Sequence, residues 1–291
     1  MAIAPTQPTL SAYTRDFGQT VTIYTQNSLS GCQHYLSYSF AGQTGNLNNG
    51  QSVSNSYTWT IPDMSSRIPN ANNGICTITC VTYFDLTLIG TKTVTLTLNV
   101  PASALPQVSV SLQEGTTSPS GIASTFGAYV QSKSRVKVTI TASSSTSTIA
   151  GYSTTVDGNT YTSSTFTSNV LKTSGTLPVK TTVTDSRGRT TTVTNNITVL
   201  AYTPPQISSF SAWRADSSGN KDSSGTYVRA SFAASINSVS NHNTKQWKVQ
   251  YKVTNSGGYA NAADPITPSS YTFSSTNFNT KSGGGYSALT S

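Results

Sequence analysis

Charge is scarce in this sequence. Only 9% of its 291 residues are Asp, Glu, Lys or Arg, against about 25% in an ordinary globular chain. Glu114 is the only glutamate, and His34 and His242 are the only histidines. Acid–base or nucleophilic chemistry needs a titratable group beside a second one that activates or orients it. His34 falls on a strand face of apolar residues, His242 sits in the loop SVSNHNTK, and the aspartates are scattered through turns. None belongs to a catalytic motif, so the reading is of a protein that is not an enzyme, with no catalytic residue and no cofactor.

Other absences narrow the class further. No stretch carries apolar residues at helical spacing, and no apolar run is long enough to cross a bilayer. The opening MAIAPTQPTLSAYTRDFGQ has no basic stretch followed by an apolar one, which predicts a chain made soluble in a cytoplasm. The sequon Asn196-Ile197-Thr198 then has no route to glycosylation. The three cysteines, Cys32, Cys76 and Cys80, do not suggest a disulfide framework. Cys76 and Cys80 share a strand face about 13 Å apart, too far to bond to each other. They also cannot join Cys32 and His34 around a zinc ion, whose ligands all lie within about 2.3 Å of the metal. Buried cysteines acting as small apolar side chains are expected instead, and no metal site. Asp216 and Asp222 each open an Asp-Ser-Ser-Gly stretch, but the alternating oxygens and closing glutamate of a calcium loop are missing. Both read as solvated turns.

What the chain has in abundance is Val, Ile, Tyr and Thr in short alternating runs bounded by Gly, Asn, Asp, Ser and Pro, the pattern of an all-β protein. TVTLTLNVPASALPQVS, from Thr93, aligns without gaps on TVTNNITVLAYTPPQIS, from Thr192. Each copy reads as a closing strand, a proline linker and the opening strand of the next unit. A repeat of about 100 residues has the size of an immunoglobulin-like sandwich. The expected domains are residues 1–103, 104–203 and 204–291, the last one unfinished, as in a fragment or an atypical domain. Core faces are expected at His34, Leu36, Tyr38 and Phe40; Tyr57, Trp59 and Ile61; and Val94, Leu96, Leu98 and Val100. In the middle domain they fall at Val136, Val138 and Ile140; Leu177, Val179 and Val183; and Val193, Ile197 and Val199. In the last they fall at Val228, Ala230, Phe232, Ala234 and Ile236, then Trp247, Val249, Tyr251 and Val253. Asp157-Gly158 marks a hairpin. Asp185-Ser186-Arg187-Gly188 resembles a site but reads as a turn, with Asp accepting backbone N–H groups and Gly left-handed. The first domain is expected to make the same turn with the longer YFDLTLIGTK.

The net charge of +8 and pI near 9.4 fit attraction to an anionic surface. The basic residues are thinly spread, however, and the densest group, Lys133, Arg135 and Lys137, alternates with apolar residues as the outer face of one strand. No nucleic-acid groove is indicated.

HYLSYSFAGQTGNL, YTWTIPDMSSRIPN and GICTITCVTYFDLTLIGTKTVTLTLNVP, followed by VTDSRGRTTT and YTPPQISSFSAWRADSSG, resemble a family of minor structural proteins of long-tailed phages of Gram-positive, chiefly streptococcal, hosts. The resemblance covers essentially the whole chain and rests on turns and core positions, so it carries no catalytic or binding residue across. It implies a virion protein assembled in the bacterial cytoplasm: a tail-associated fibre or adhesion-module segment that acts as a rigid spacer. The implied partners are other tail or baseplate proteins, further copies of the chain, and host wall polysaccharide or teichoic acid, without membrane insertion. Two alternatives stay open. One is a neck or head fibre; the other is a glycan-binding module using exposed aromatics such as Tyr24, Tyr259 and Tyr286.

Overall fold

The computed structural model describes residues 4–26, 29–251, 258–261 and 266–281. They form an all-β protein of immunoglobulin-like sandwiches. The strands are β1 (Thr9–Leu10), β2 (Thr14–Asp16), β3 (Thr20–Tyr24), β4 (Gln33–Phe40), β5 (Gln43–Asn46), β6 (Ser56–Thr60), β7 (Asn73–Phe84), β8 (Thr87–Asn99) and β9 (Gln107–Glu114). After a single helical turn, α1 (Ile122–Phe126), come β10 (Tyr129–Val130), β11 (Val136–Ser143), β12 (Ile149–Val156), β13 (Asn159–Tyr161), β14 (Thr165–Thr167), β15 (Gly175–Asp185) and β16 (Thr190–Leu200). The last are β17 (Gln206–Ala215), β18 (Tyr227–Ser235), β19 (Gln250–Tyr251), β20 (Ala260–Asn261) and β21 (Thr272–Lys281). The helical turn has no counterpart in the sequence reading; at five residues, between Gly121 and Gly127, it is too short to show a periodicity.

The strands repeat one plan. The first sandwich pairs a three-stranded sheet, β1-β3-β6, with a five-stranded sheet, β2-β8-β7-β4-β5. The next has β9-β11-β14 and β10-β16-β15-β12-β13. Strand for strand the orders match, including the short parallel edge pairs β2–β8 and β10–β16. The third set holds β17-β18-β21, which corresponds to the three-stranded sheets, and the pair β19-β20, which corresponds to β12-β13. Among the described residues, no strands correspond to β15 and β16 there.

By packing, the chain divides into two compact units, residues 1–111, 138–166 and 179–195 in one and residues 112–137, 167–178 and 196–291 in the other. This division passes through the middle repeat. In the first unit, alternate residues of facing sheets meet in one core. Val21, Ile23 and Trp59 come from one sheet and Leu36, Phe40, Cys76, Ile78, Cys80, Leu96 and Leu98 from the other. Phe17 meets Phe40 edge-on at 5.5 Å between ring centroids, and Tyr38 lies against Trp59 at 4.9 Å. The middle repeat buries Val136, Val138 and Ile140, and likewise Leu177, Val179, Val183, Ile197 and Val199. Period-two alternation puts these residues inside because successive side chains of a strand point to opposite faces. Tyr251 keeps its strand but not a described side chain, and Val253 lies outside the described residues.

Turn chemistry fixes the registers. Asp157 and Gly158 have φ of 47° and 75° and join Val156 directly to its partner Asn159, the two-residue hairpin expected of Asp-Gly. The β7–β8 turn differs from expectation. YFDLTLIGTK is not a long connection: the ladder runs out to Phe84 opposite Thr87, and only Asp85 and Leu86 turn the chain, both with positive φ. The extra residue, Ile89, is absorbed as a bulge between the Thr82–Gly90 and Tyr83–Leu88 pairs, a device that lets two strands of unequal length stay paired.

Candidate functional site

The stretch Asp185–Arg189 closes the β15–β16 hairpin and does more than turn the chain. Its backbone behaves as the sequence predicts. The Asp185 carboxylate accepts the N–H of Arg187 and of Arg189, both at 2.9 Å, while the Gly188 N–H donates to the Asp185 carbonyl at 3.0 Å with φ of 79° at Gly188. Ser147 donates its hydroxyl to the same carboxylate at 2.8 Å. Burial alone would raise the Asp185 carboxyl, but these donors together with the Arg187 charge outweigh it and hold it below the usual carboxylate range.

The two arginines were not foreseen. Their side chains leave the turn and dock on the loop after β6 and on the linker after β8, both in the first sandwich. Arg187, only 7% exposed, donates through Nη2 to the carbonyls of Ser65 (2.7 Å) and Thr146 (2.6 Å), and through Nε to that of Ala71 (3.0 Å). Nη1 reaches the Thr146 hydroxyl at 3.0 Å. Arg189 donates through Nε to the Asn72 side-chain oxygen (2.7 Å), and through its two Nη atoms to the carbonyls of Pro101 (2.6 Å) and Val100 (2.8 Å). Ser186 and Thr191 add hydroxyl bonds to the carbonyls of Pro69 and Pro106, each at 2.6 Å. A planar guanidinium presents five donors in a fixed fork, and it meets carbonyls of an irregular loop that no ladder could satisfy. Burial pulls the Arg187 guanidinium below its ordinary value, while the Asp185 charge opposes the shift. The stretches 57–70 and 183–192 are two of the segments that carry the family resemblance, and here they hold the two halves of one joint. A signal was available: two arginines, two positions apart, in a chain with few charges.

A second joint lies in the other unit and is apolar. Ile122, Val130 and Val239 are buried together, with Phe126, Leu200 and Tyr202 packed against them. Gln131 accepts the Tyr202 N–H at 3.2 Å, and the Lys133 ammonium sits 5.1 Å from the Tyr202 ring centroid.

The other candidate residues have structural partners. His34 is buried, with one ring nitrogen 2.8 Å from the Thr6 hydroxyl and the other 3.1 Å from the Val53 carbonyl. His242 meets Phe126 edge-on. Glu114 accepts the N–H of Ala123 at 2.6 Å and so caps α1. Tyr129 is raised by burial and by the charge of Glu114. Cys76 and Cys80 are fully buried, and burial pushes both thiols up to about 11; Cys32 is half-buried. Asp216 and Asp222 hold surface turns, the first accepting the N–H groups of Ser218 and Asn220 and the second that of Ser224. The Asp216 turn repeats the Asp185 hydrogen-bond pattern without its arginines. Of the basic residues expected on the outer face of one strand, only Lys137 lies in β11, on its exposed face; Lys133 stands in the preceding turn and Arg135 just before the strand, because the strand begins only at Val136. Tyr24 and Tyr259 are exposed; Tyr286 lies outside the described residues. Among the described residues, no group of three or more His, Cys, Asp or Glu is placed to hold a metal, and no helix is long and apolar enough to cross a membrane.

One open groove of about 820 Å³ lies beside the third sheet. Ile207, Phe210, Phe232, Trp247, Val249 and Phe273 are among the residues that line it. Phe232 meets Trp247 edge-on at 4.8 Å, which fixes the indole plane.

Solved structures similar to this chain include that of a 1.5-MDa bacterial ice-binding adhesin retained at the host cell surface (13% identity, TM-score 0.34, 91% of this chain and 88% of that one). Another is a tetra-tandem repeat from the extending region of a large adhesion protein (14% identity, TM-score 0.32, 92% and 64%). A third comprises the fibronectin(III)-like modules of Clostridium thermocellum CbhA (12% identity, TM-score 0.28, 67% and 95%). No curated protein matches the sequence. The model of a family described as siphovirus protein of unknown function (DUF859) matches residues 2–291, and the chain belongs to that family.

Proposed function

We propose that the protein is a structural component of the siphophage virion: a tail-associated segment that works as a stiff spacer and carries the adhesion apparatus toward the host surface. The arginine joint is the observation that carries this reading. Tandem domains joined by a proline linker alone would pivot, since interfaces of this kind are small and mobile by default. Here two guanidinium groups pin the β15–β16 turn to fixed carbonyls of the preceding sandwich, which is the design of a spacer and has no use in a freely hinged chain. Membership in a siphovirus family supports the particle as its location. The histidines and the glutamate are engaged in packing, stacking and capping, which supports a role without catalysis. In this role the net charge of +8 draws the particle toward a wall bearing teichoic acid through weak long-range attraction.

Immunogold electron microscopy of purified phage, with antibody raised against the chain, tests the proposal. Gold at the tail is the expected result. Gold at the neck or capsid would replace the spacer with a decorating fibre, and unlabelled particles would overturn a virion role altogether.

A further inference from the structure

The five-stranded sheet of the first sandwich carries two tyrosines on the side away from its core. In β4, β7 and β8 alternate residues are buried, among them Leu36, Cys80 and Leu96, so the residues between them look outward. Near the β7–β8 hairpin this outward face holds Tyr35 opposite Val81 and Tyr83 opposite Leu88. The Tyr35 and Tyr83 rings meet edge-on, with 5.6 Å between centroids and 84° between planes, and so make the two walls of a corner. Tyr35 is 38% exposed and Leu88 56%. Beyond them the cross-strand pairs Ser37–Thr79, Thr79–Thr93 and Thr77–Thr95 continue the face as a band of hydroxyls, about 13 Å long from Val81 to Thr77. None of these residues is charged. The fold does not require the rings. On the corresponding sheet of the middle sandwich the outward pairs are Ser153–Thr182 and Thr155–Lys180, and there the Thr182 and Thr192 hydroxyls lie 2.8 Å apart and bond to each other. On the first sandwich the hydroxyls of Tyr35, Ser37, Thr79 and Tyr83 have no hydrogen-bond partner among the described residues.

Resting on the reading of the chain as part of an adhesion apparatus, we propose that this face binds an uncharged saccharide of the host wall. One pyranose ring sits in the corner of Tyr35 and Tyr83, and the adjoining sugars lie along the band of hydroxyls. Three properties select this occupant. A sugar ring has a C–H face that packs on an aromatic ring, and tyrosine offers both that surface and a polar tip. Its rim of hydroxyls donates and accepts, and so do the Ser, Thr and Tyr hydroxyls of this face. The lack of charge suits a neutral sugar, whereas a phosphate or uronate would find no cation to meet it. A protein partner is the poorer match. The apolar part consists of Tyr35, Val81, Tyr83, Leu86 and Leu88, against about 20 residues a side in a stable protein interface. The site is separate from exposed Tyr24, which stands on β3 in the other sheet.

The test applies the full chain to an array of neutral hexose and N-acetylhexosamine oligosaccharides, with poly(glycerol phosphate) and oligogalacturonate as anionic arms, and follows amide exchange with the saccharide that binds. The expected result is saturable binding confined to the neutral arm, slower exchange in β4 and β7, and an affinity reduced about tenfold by Tyr35→Ala and by Tyr83→Ala. Thr79→Lys, which leaves both rings in place and puts a long charged side chain on the band, should weaken binding as well, so that loss in the tyrosine variants is not mistaken for local unfolding. An array without a neutral ligand would overturn the proposal, as would binding of poly(glycerol phosphate) alone. Binding that survives both tyrosine variants and is lost in Tyr24→Ala would overturn it by moving the site to the other sheet. Self-association that rises with concentration and disappears in Tyr35→Ala would overturn it in favour of an interface between copies. Since the assay needs no virion, its failure is distinguishable from failure to find the protein on the particle.

Discussion

The two joints of this protein solve one problem with opposite chemistry. Around Arg187 and Arg189, connected sandwiches are held by charge-assisted hydrogen bonds to named carbonyls at 2.6–3.0 Å. Around Val239, the contact is a cluster of Ile122, Val130, Phe126, Leu200 and Tyr202. Hydrogen bonds of a guanidinium fork are directional and specify one arrangement. Apolar burial is non-directional and scales with area. The first joint therefore fixes geometry, whereas the second supplies adhesion with latitude in how its parts meet.

This contrast is broken most severely at Arg187. Arg187→Ala takes the guanidinium away from the carbonyls of Ser65, Ala71 and Thr146, of which Ser65 keeps the Ile68 N–H, and denaturant titration should show a loss of about 3 kcal/mol. Arg187→Lys should recover less than half of it, because a point charge cannot serve three separated acceptors. Ile122→Ala in the apolar joint should cost about 2 kcal/mol, and there Ile122→Leu should restore most of the loss, as a contact without direction tolerates reshaping.

Acid separates the joints more gently. The Asp185 carboxyl is held below its ordinary value, so the stability it contributes is fully present above the unfolded value, about 3.9, and is lost as pH falls through the lower folded one. Amide exchange at Arg187 and Arg189 should therefore rise below about pH 4 while exchange around Val130 stays unchanged, and Asp185→Asn should abolish the difference. The smallest effect is expected at Lys133. Removing its ammonium from the Tyr202 ring with Lys133→Ala should cost about 0.5 kcal/mol, read as a slight shift of the denaturation midpoint.

How much of this was legible in the sequence follows from the range of the interactions. Period-two alternation located the buried faces, since a strand's own geometry decides which side chains share a side. Residues such as Leu36, Phe40, Val136, Val138 and Ile197 lie inside as that pattern requires. Asp157-Gly158 and Asp185–Gly188 were read correctly as turns because the determinants of a turn are local. The turn within YFDLTLIGTK was placed but read as too long, since its tight corner at Asp85-Leu86 is set by the paired strands and a bulge, with no glycine there to announce it. The arginine joint was missed for another reason: Arg187 and Ser65 are 122 positions apart, and nothing in a local pattern says where a long side chain will end. The groove beside the third sheet was equally hidden, because Phe232 and Trp247 look like any core pair in the sequence.

The claim that the arginine joint makes this segment stiff is tested most directly by a distance measurement across it. With Cys32→Ser to remove the accessible thiol, nitroxides at Thr44→Cys and Thr160→Cys, both exposed, report on the two sides by pulsed electron spin resonance. A single narrow distance distribution that broadens in Arg187→Ala is predicted. A broad distribution in the unsubstituted joint, or one indifferent to Arg187→Ala, would contradict the account.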